Sequence, residues 1–271
     1  MDWLLTSRLR VFGPNSRHTL RAALNFARIL NALGRGKEAE LLLMERIYAP
    51  SIVASVPTMY LSIADSHLAT SLAAQGRMSE ASEVLRKIVA DETERDDANI
   101  RLSAMSQLAH LLAKQNDLAE ADRLQRIALA GLEHGLGSND PKTLSAIFRL
   151  SELARAKSDL AEADRVSRRL IESARQTMPP NHPSLAGYLI ERAKVLSDMR
   201  RLSEAEIALR ESWDVLRGVK VDPALVQDLE LTVVELDRRW NALLPGRIVA
   251  DSDRTWREDL TSALRFPKPP S

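Results

Sequence analysis

Histidine is the side chain best suited to hold a metal or move a proton near neutral pH, and this 271-residue chain has five, at His18, His67, His110, His134 and His182. No two stand four apart, so the two-ligand spacing of helical zinc sites is missing. A phosphate-cradling loop needs Gly-x-x-x-x-Gly-Lys-Ser/Thr, but Gly36-Lys37 is followed by Glu38 and has Asn31 where the first glycine belongs. The glycines from Gly131 to Gly137 follow no strand pattern, which removes a dinucleotide fingerprint. Asp96-Asp97 and Glu258-Asp259 are carboxylate pairs in solvated charge runs, without the pocket that general acid–base work requires. With zero Cys there is no thiol nucleophile, zinc finger or disulfide, and the scattered serines form no triad. The expectation is a protein that is not an enzyme, with no catalytic residues, no metal and no cofactor.

The polar side chains offer recurrence instead. One row reads Asn25, His67, Gln107, Arg149 and Glu191; a second Arg28, Thr70, His110, Glu152 and Lys194; a third Asn31, Ala73, Ala113, Arg155 and Ser197. Parallel lines of hydrogen-bonding side chains on otherwise apolar helices could satisfy the C=O and N–H groups of an extended peptide at successive steps. Among the charged members, Arg28, Arg149, Arg155 and Lys194 stand against Glu152 and Glu191, an excess that favours an acidic or carboxylate-bearing peptide.

These rows follow from an internal repeat. Gly34-Arg35-Gly36-Lys37-Glu38-Ala39 recurs as Gly76-Arg77-Met78-Ser79-Glu80-Ala81, Asn116-Asp117-Leu118-Ala119-Glu120-Ala121, Ser158-Asp159-Leu160-Ala161-Glu162-Ala163 and Arg200-Arg201-Leu202-Ser203-Glu204-Ala205. The anchor alanines are 42, 40, 42 and 42 residues apart, and the three rows lie 14, 11 and 8 residues before them. Turn clusters confirm the phase: Gly13-Pro14-Asn15, Gly137-Ser138-Asn139 and Pro179-Pro180-Asn181 each begin 26 residues before an anchor. Between landmarks the apolar residues recur mostly by three or four, as in Leu102, Met105, Leu108, Ala109 and Leu112, then Leu118, Ala121, Leu124, Ala128 and Leu129. That is the stripe of two amphipathic helices joined by a short break. Each copy is therefore a helix-turn-helix pair, and the alanine marks the point where two helices cross closely. One pair cannot bury its own stripe, so neighbours must stack.

From about Gly13 to Leu216 this pattern resembles the tetratricopeptide repeat (TPR) family, specifically the 42-residue variety of kinesin light chains and many bacterial signalling proteins. Small residues stand where that family places them, at Ala27, Ala69, Ala109, Ser151 and Ala193 on the first helices and at the five anchors on the second. The family's aromatic positions are mostly aliphatic, as at Leu118, Leu160 and Leu202. The 40-residue step near Asp91 to Ile100 lacks the Gly/Pro turn. The resemblance implies an all-α, right-handed α-solenoid of about five helix-turn-helix TPR-like repeats, whose first helices line a concave peptide site. The peptide-binding residues it implies are Asn25, Arg28, Asn31, His67, Thr70, Gln107, His110, Arg149, Glu152, Arg155, Glu191 and Lys194, with Asn25 at the position where an Asn commonly contacts the ligand backbone.

The expected organisation is a partial repeat or N-terminal capping helix over 1–12, five repeats over 13–222, a C-terminal capping helix over 223–243 and a flexible Pro-containing tail over 244–271, with room for a short helix from Asp253 to Leu264. The N-terminal segment offers Trp3, Leu4, Leu5 and Leu9 for packing; either it caps the stack or the chain is the C-terminal part of something longer. Asp91 to Asp97 reads as a solvated loop. The 38 Lys plus Arg against 37 Asp plus Glu leave a net charge of +1, no global field for nucleic acid or an anionic membrane. No apolar run of about 18 residues marks a membrane span. A cytoplasmic binding scaffold with a protein or peptide partner is the first reading. A regulatory TPR region of a longer kinase or ATPase is the second, an unrecognised helical enzyme the third, and the oligomeric state stays open.

Overall fold

The structure is a computed structural model that describes residues 7–8, 10–90, 98–217, 223–245 and 251–265. Trp3, Leu4, Leu5, Leu9, the expected loop from Asp91 to Asp97 and the terminal Phe266 to Ser271 lie outside the described residues. Among the described residues there is no strand. The described residues after residue 16 form twelve α-helices: α1 (Arg17–Ala32), α2 (Gly36–Arg46), α3 (Thr58–Ala74), α4 (Met78–Ala90), α5 (Ala98–Lys114), α6 (Leu118–Leu136), α7 (Pro141–Ala156), α8 (Leu160–Thr177), α9 (Pro183–Asp198), α10 (Leu202–Leu216), α11 (Pro223–Leu243) and α12 (Asp251–Arg265). A 3-10 turn, Val53–Ser55, lies between α2 and α3. They fall into two compact units, Met1–Gly135 and Leu136–Ser271.

Within the first unit α1 packs on α2 and α3, and α3 on α2, α4 and α5. In the second, α9 packs on α7, α8, α10 and α11. First helix on first helix, with the second helix closing each pair, is the packing of a TPR-like stack. Its seam is set by small side chains. The anchors Ala39, Ala81, Ala121, Ala163 and Ala205 are all 0% exposed, and Ala27, Ala69, Ala109, Ser151 and Ala193 are buried with them. A larger side chain at any of these points would push two helices apart.

The turn inside each pair repeats to the atom. Gly34, Gly76, Asn116, Ser158 and Arg200 all have φ between 60° and 79°. The N–H of the following residue, Arg35, Arg77, Asp117, Asp159 or Arg201, donates to the carbonyl of Leu30, Leu72, Leu112, Ala154 or Leu196 at 2.8–2.9 Å. That is a Schellman cap, in which a left-handed residue reverses the chain while orphan carbonyls of the first helix stay bonded. The glutamate before each anchor then helps start the second helix. Where an arginine precedes that helix, its Nε and Nη2 donate to it, Arg35–Glu38, Arg77–Glu80 and Arg201–Glu204, each at 2.7 and 2.6 Å. Where an aspartate does, its carboxylate accepts the glutamate's backbone N–H, Asp117 from Glu120 at 3.3 Å and Asp159 from Glu162 at 3.1 Å. The recurring Glu-Ala is thus a start signal joined to a crossing point.

The residue after the anchor links one pair to the next. Arg77 Nη1 donates to Glu40 at 2.8 Å, and Arg201 Nη1 to Asp164 at 3.2 Å. At the end of the second unit Glu206 holds the same place and receives Arg257 from α12 at 2.5 Å. The tail's expected short helix, Asp253 to Leu264, is present as α12 and is docked: Trp256 is 6% and Leu260 2% exposed, and Arg257 also pairs with Asp237 of α11. Apolar residues spaced by four, together with a cation aimed at two carboxylates, give α12 a surface to seat on despite the proline-rich sequence beyond it. With α11 it forms a sixth helix pair on α10.

Candidate functional site

On the first unit the outward side of α1 and α3 presents Asn25, Arg28 and Thr70 to solvent. Thr70 Oγ1 donates to the Ser66 carbonyl of its own helix at 3.0 Å. Asn31 is half-buried and engaged: its Nδ2 donates to the His67 carbonyl at 2.8 Å, and its Oδ1 accepts from Ser71 Oγ at 2.9 Å. It ties α1 to α3, so its amide serves the scaffold first. His67 is half-buried; burial, then the positive charge of Arg28, pushes its imidazole down to about 4. It is therefore neutral at pH 7. Gln107 and His110 are half-buried on α5.

On the second unit Arg155 of α7 meets Glu191 of α9, with Glu152 of α7 and Lys194 of α9 close enough to act on its charge. Glu191 is 2% exposed; its Oε1 accepts from Ser151 Oγ at 3.2 Å and from Arg155 Nε at 3.3 Å. Burial pushes its carboxyl up to about 7, with Arg155 and Lys194 opposing and Glu152 adding like charge. Burial also works against the Arg149 cation, and Glu152 works for it. Arg155 reaches Asp198 at 3.6 Å, and Lys194 is held by both oxygens of Asp228 at 2.8 and 2.9 Å. Of the four cations counted along these rows, Arg155 and Lys194 are thus committed to carboxylates, among them Asp198 and Asp228 outside the rows.

Asp198, Asp228, Glu235 and Arg239, with Ser197 of the third row, were not among the residues expected to bind. Together with Arg155 and Lys194 they line a cleft of about 270 Å³ where α7, α9 and α11 meet. Arg239 reaches Asp198 at 2.8 Å and Glu235 at 3.1 Å. The signal available in the sequence was the acidic face of α11, Asp228 and Glu235 one helical repeat of seven apart. Among the described residues no three His, Asp or Glu side chains are grouped to hold a metal ion, and no helix is long and apolar enough to cross a membrane.

Residues 101–142, spanning α5 and α6, match the family model for the tetratricopeptide repeat. No curated protein matches the chain. Among solved structures the chain is similar to a Podosopora anserina kinesin-light-chain array of nearly identical TPR-like repeats, at 22% identity and TM-score 0.55, covering 72% of this chain and 93% of that one. A second structure of those repeats gives 22% identity and TM-score 0.54, covering 72% and 94%. BtubC (BKLC) from P. vanneervenii is similar over 91% of this chain and 89% of that one, at 14% identity and TM-score 0.61. The repeat register, the buried alanines and these likenesses agree on the fold: residues 101–142 carry a tetratricopeptide-repeat match, and the chain shares the fold of kinesin-light-chain-like arrays of TPR-like repeats.

Proposed function

We propose that this protein is a non-enzymatic interaction scaffold that holds a segment of a partner protein against the first helices of its pairs. The observation that supports this best is the contrast across α1 and α3. Ala27 and Ala69 are 0% and 1% exposed, while Asn25, Arg28 and Thr70 on the same helices reach solvent. A helix locked along one face presents side chains from fixed backbone positions, which lowers the ordering cost of binding. The Asn25 amide can pair with both the N–H and C=O of an extended segment, and the Arg28 guanidinium with a carbonyl or carboxylate. On this unit an acidic group of the partner would meet Arg28. On the second unit, Arg155 and Lys194 are already held by carboxylates.

Replacing Asn25, Arg28 and Thr70 together by Ala tests the reading. Capture of partner protein should fall to background while the far-ultraviolet circular dichroism stays unchanged. Capture at the level of the unaltered protein would move the binding surface to the second helices or to α12.

A further inference from the structure

The cleft at α7, α9 and α11 carries six charged side chains, three of each sign. They differ in depth. Asp228 and Glu235 on α11 are the most exposed, at 46% and 43%, whereas Arg155, Lys194 and Arg239 lie between 28% and 35%. Behind Arg155 stands Glu191, 2% exposed and paired with it at 3.3 Å. Every cation of the cleft is held by an internal carboxylate: Lys194 by Asp228, Arg155 by Glu191 and Asp198, Arg239 by Asp198 and Glu235. An incoming anion must displace one of them.

An incoming cation displaces nothing. A carboxylate accepts at about four lone-pair positions, so Asp228 and Glu235 can take a further N–H while keeping their present partners. The cleft also holds an unused neutral acceptor: Ser197 is 6% exposed and its hydroxyl has no partner. Lysine and arginine side chains bring only donors, the complement of this set. A volume of about 270 Å³ suits one long side chain rather than a stretch of peptide.

The geometry points to a subsite for a cationic side chain, the lysine ammonium or arginine guanidinium of a bound segment, received between Asp228 and Glu235 with Ser197 as the neutral acceptor. It rests on the scaffold reading above and gives the partner its chemistry at this end.

The test uses the full chain, isotope-labelled, titrated at low ionic strength with two capped tetrapeptides, one of lysine and one of glutamate. The lysine peptide should shift the backbone amide signals of Ser197, Asp198, Asp228 and Glu235 saturably, and the glutamate peptide should leave them in place. Asp228→Asn with Glu235→Gln should weaken the lysine peptide about fivefold, the scale of exposed ion pairs, with unchanged circular dichroism. Ser197→Ala, the smaller change, should weaken it while leaving every ion pair intact. Equal or stronger shifts with the glutamate peptide, absence of shifts with either, or lysine binding indifferent to these variants would overturn the proposal. If the Asn25, Arg28 and Thr70 variant still loses partner capture, the scaffold reading survives that failure.

Discussion

Glu206 on α10 and Arg257 on α12 meet at 2.5 Å across 51 residues of sequence. The contact has the form of Glu40 with Arg77 and Asp164 with Arg201, in which the acid after an anchor alanine receives an arginine from the next pair. At the end of the second unit no further copy of the motif follows, and α12 supplies the arginine. Both partners are well buried, at 8% for Glu206 and 13% for Arg257, so water does little to screen the pair.

Arg257→Met should therefore loosen α12 without disturbing the pairs before it, because stacked repeats contact only their neighbours. Loss of a buried, charge-assisted contact corresponds to about 2 kcal/mol. Amide hydrogen exchange over 251–265 should accelerate while α7 and α8 keep their protection. Uniform acceleration throughout the second unit would show that α12 holds the whole unit together.

The five left-handed turn residues give a second prediction. Nothing lies within 4 Å of a Cβ built at Gly34 or Gly76, so at those positions the cost of a side chain is conformational alone. Ser158→Gly and Arg200→Gly should each raise the unfolding midpoint, by about 0.5–1 kcal/mol in stability, and Gly76→Ala should lower it by a similar amount. Urea unfolding followed by circular dichroism reads all three.

Close packing of α2 on α3 predicts a larger effect at Gly36. A Cβ there would stand 2.8 Å from the Ser71 carbonyl oxygen and 3.1 Å from Ala74 Cβ. Backbone cannot yield as a flexible side chain does, so Gly36→Ala should cost about 1–3 kcal/mol. Asn31→Ala, which removes the bond from α1 to the His67 carbonyl, should cost about 1 kcal/mol. Thermal unfolding of the two variants should keep that order.

Two groups, Glu191 buried and His67 half-buried, give opposite local pH dependence. Glu191 has a folded value raised to about 7 from 4.5, so the folded state keeps a proton that the unfolded chain has released. Its contribution is full below about 4.5 and lost as pH rises through 7. The groups around it are Arg155, Glu152 and Ser151 from α7 and Lys194 from α9, with Asp228 of α11 on Lys194. His67 has a folded value lowered to about 4 from 6.5, so the unfolded chain takes up the proton first, and stability there is lost as pH falls through that window. Between pH 5 and 6.5, hydrogen-exchange protection of α9 should fall with rising pH while that of α3 rises. Glu191→Gln and His67→Gln should flatten the respective slopes; a slope that persists in its variant assigns the titration to another group.

The sequence alone determined the helix pairs, their register and the crossing points, because each depends on local periodicity and on one small residue per copy. Ala39, Ala81, Ala121, Ala163 and Ala205 were legible for that reason, and all five are sealed. The turn residues were legible only where they are glycine; Ser158 and Arg200 take the same left-handed turn because the Schellman bonds on either side compel it. The candidate surface could be read only as a set of outward positions, since periodicity tells which way a side chain points and nothing about what arrives from the next helix. Tertiary structure decided that Asn31 is spent on His67 and Ser71, that Lys194 is neutralised by Asp228, and that Arg257 seats α12 on Glu206. Those partners lie 34 to 51 residues apart, and only stacking brings their charges within reach.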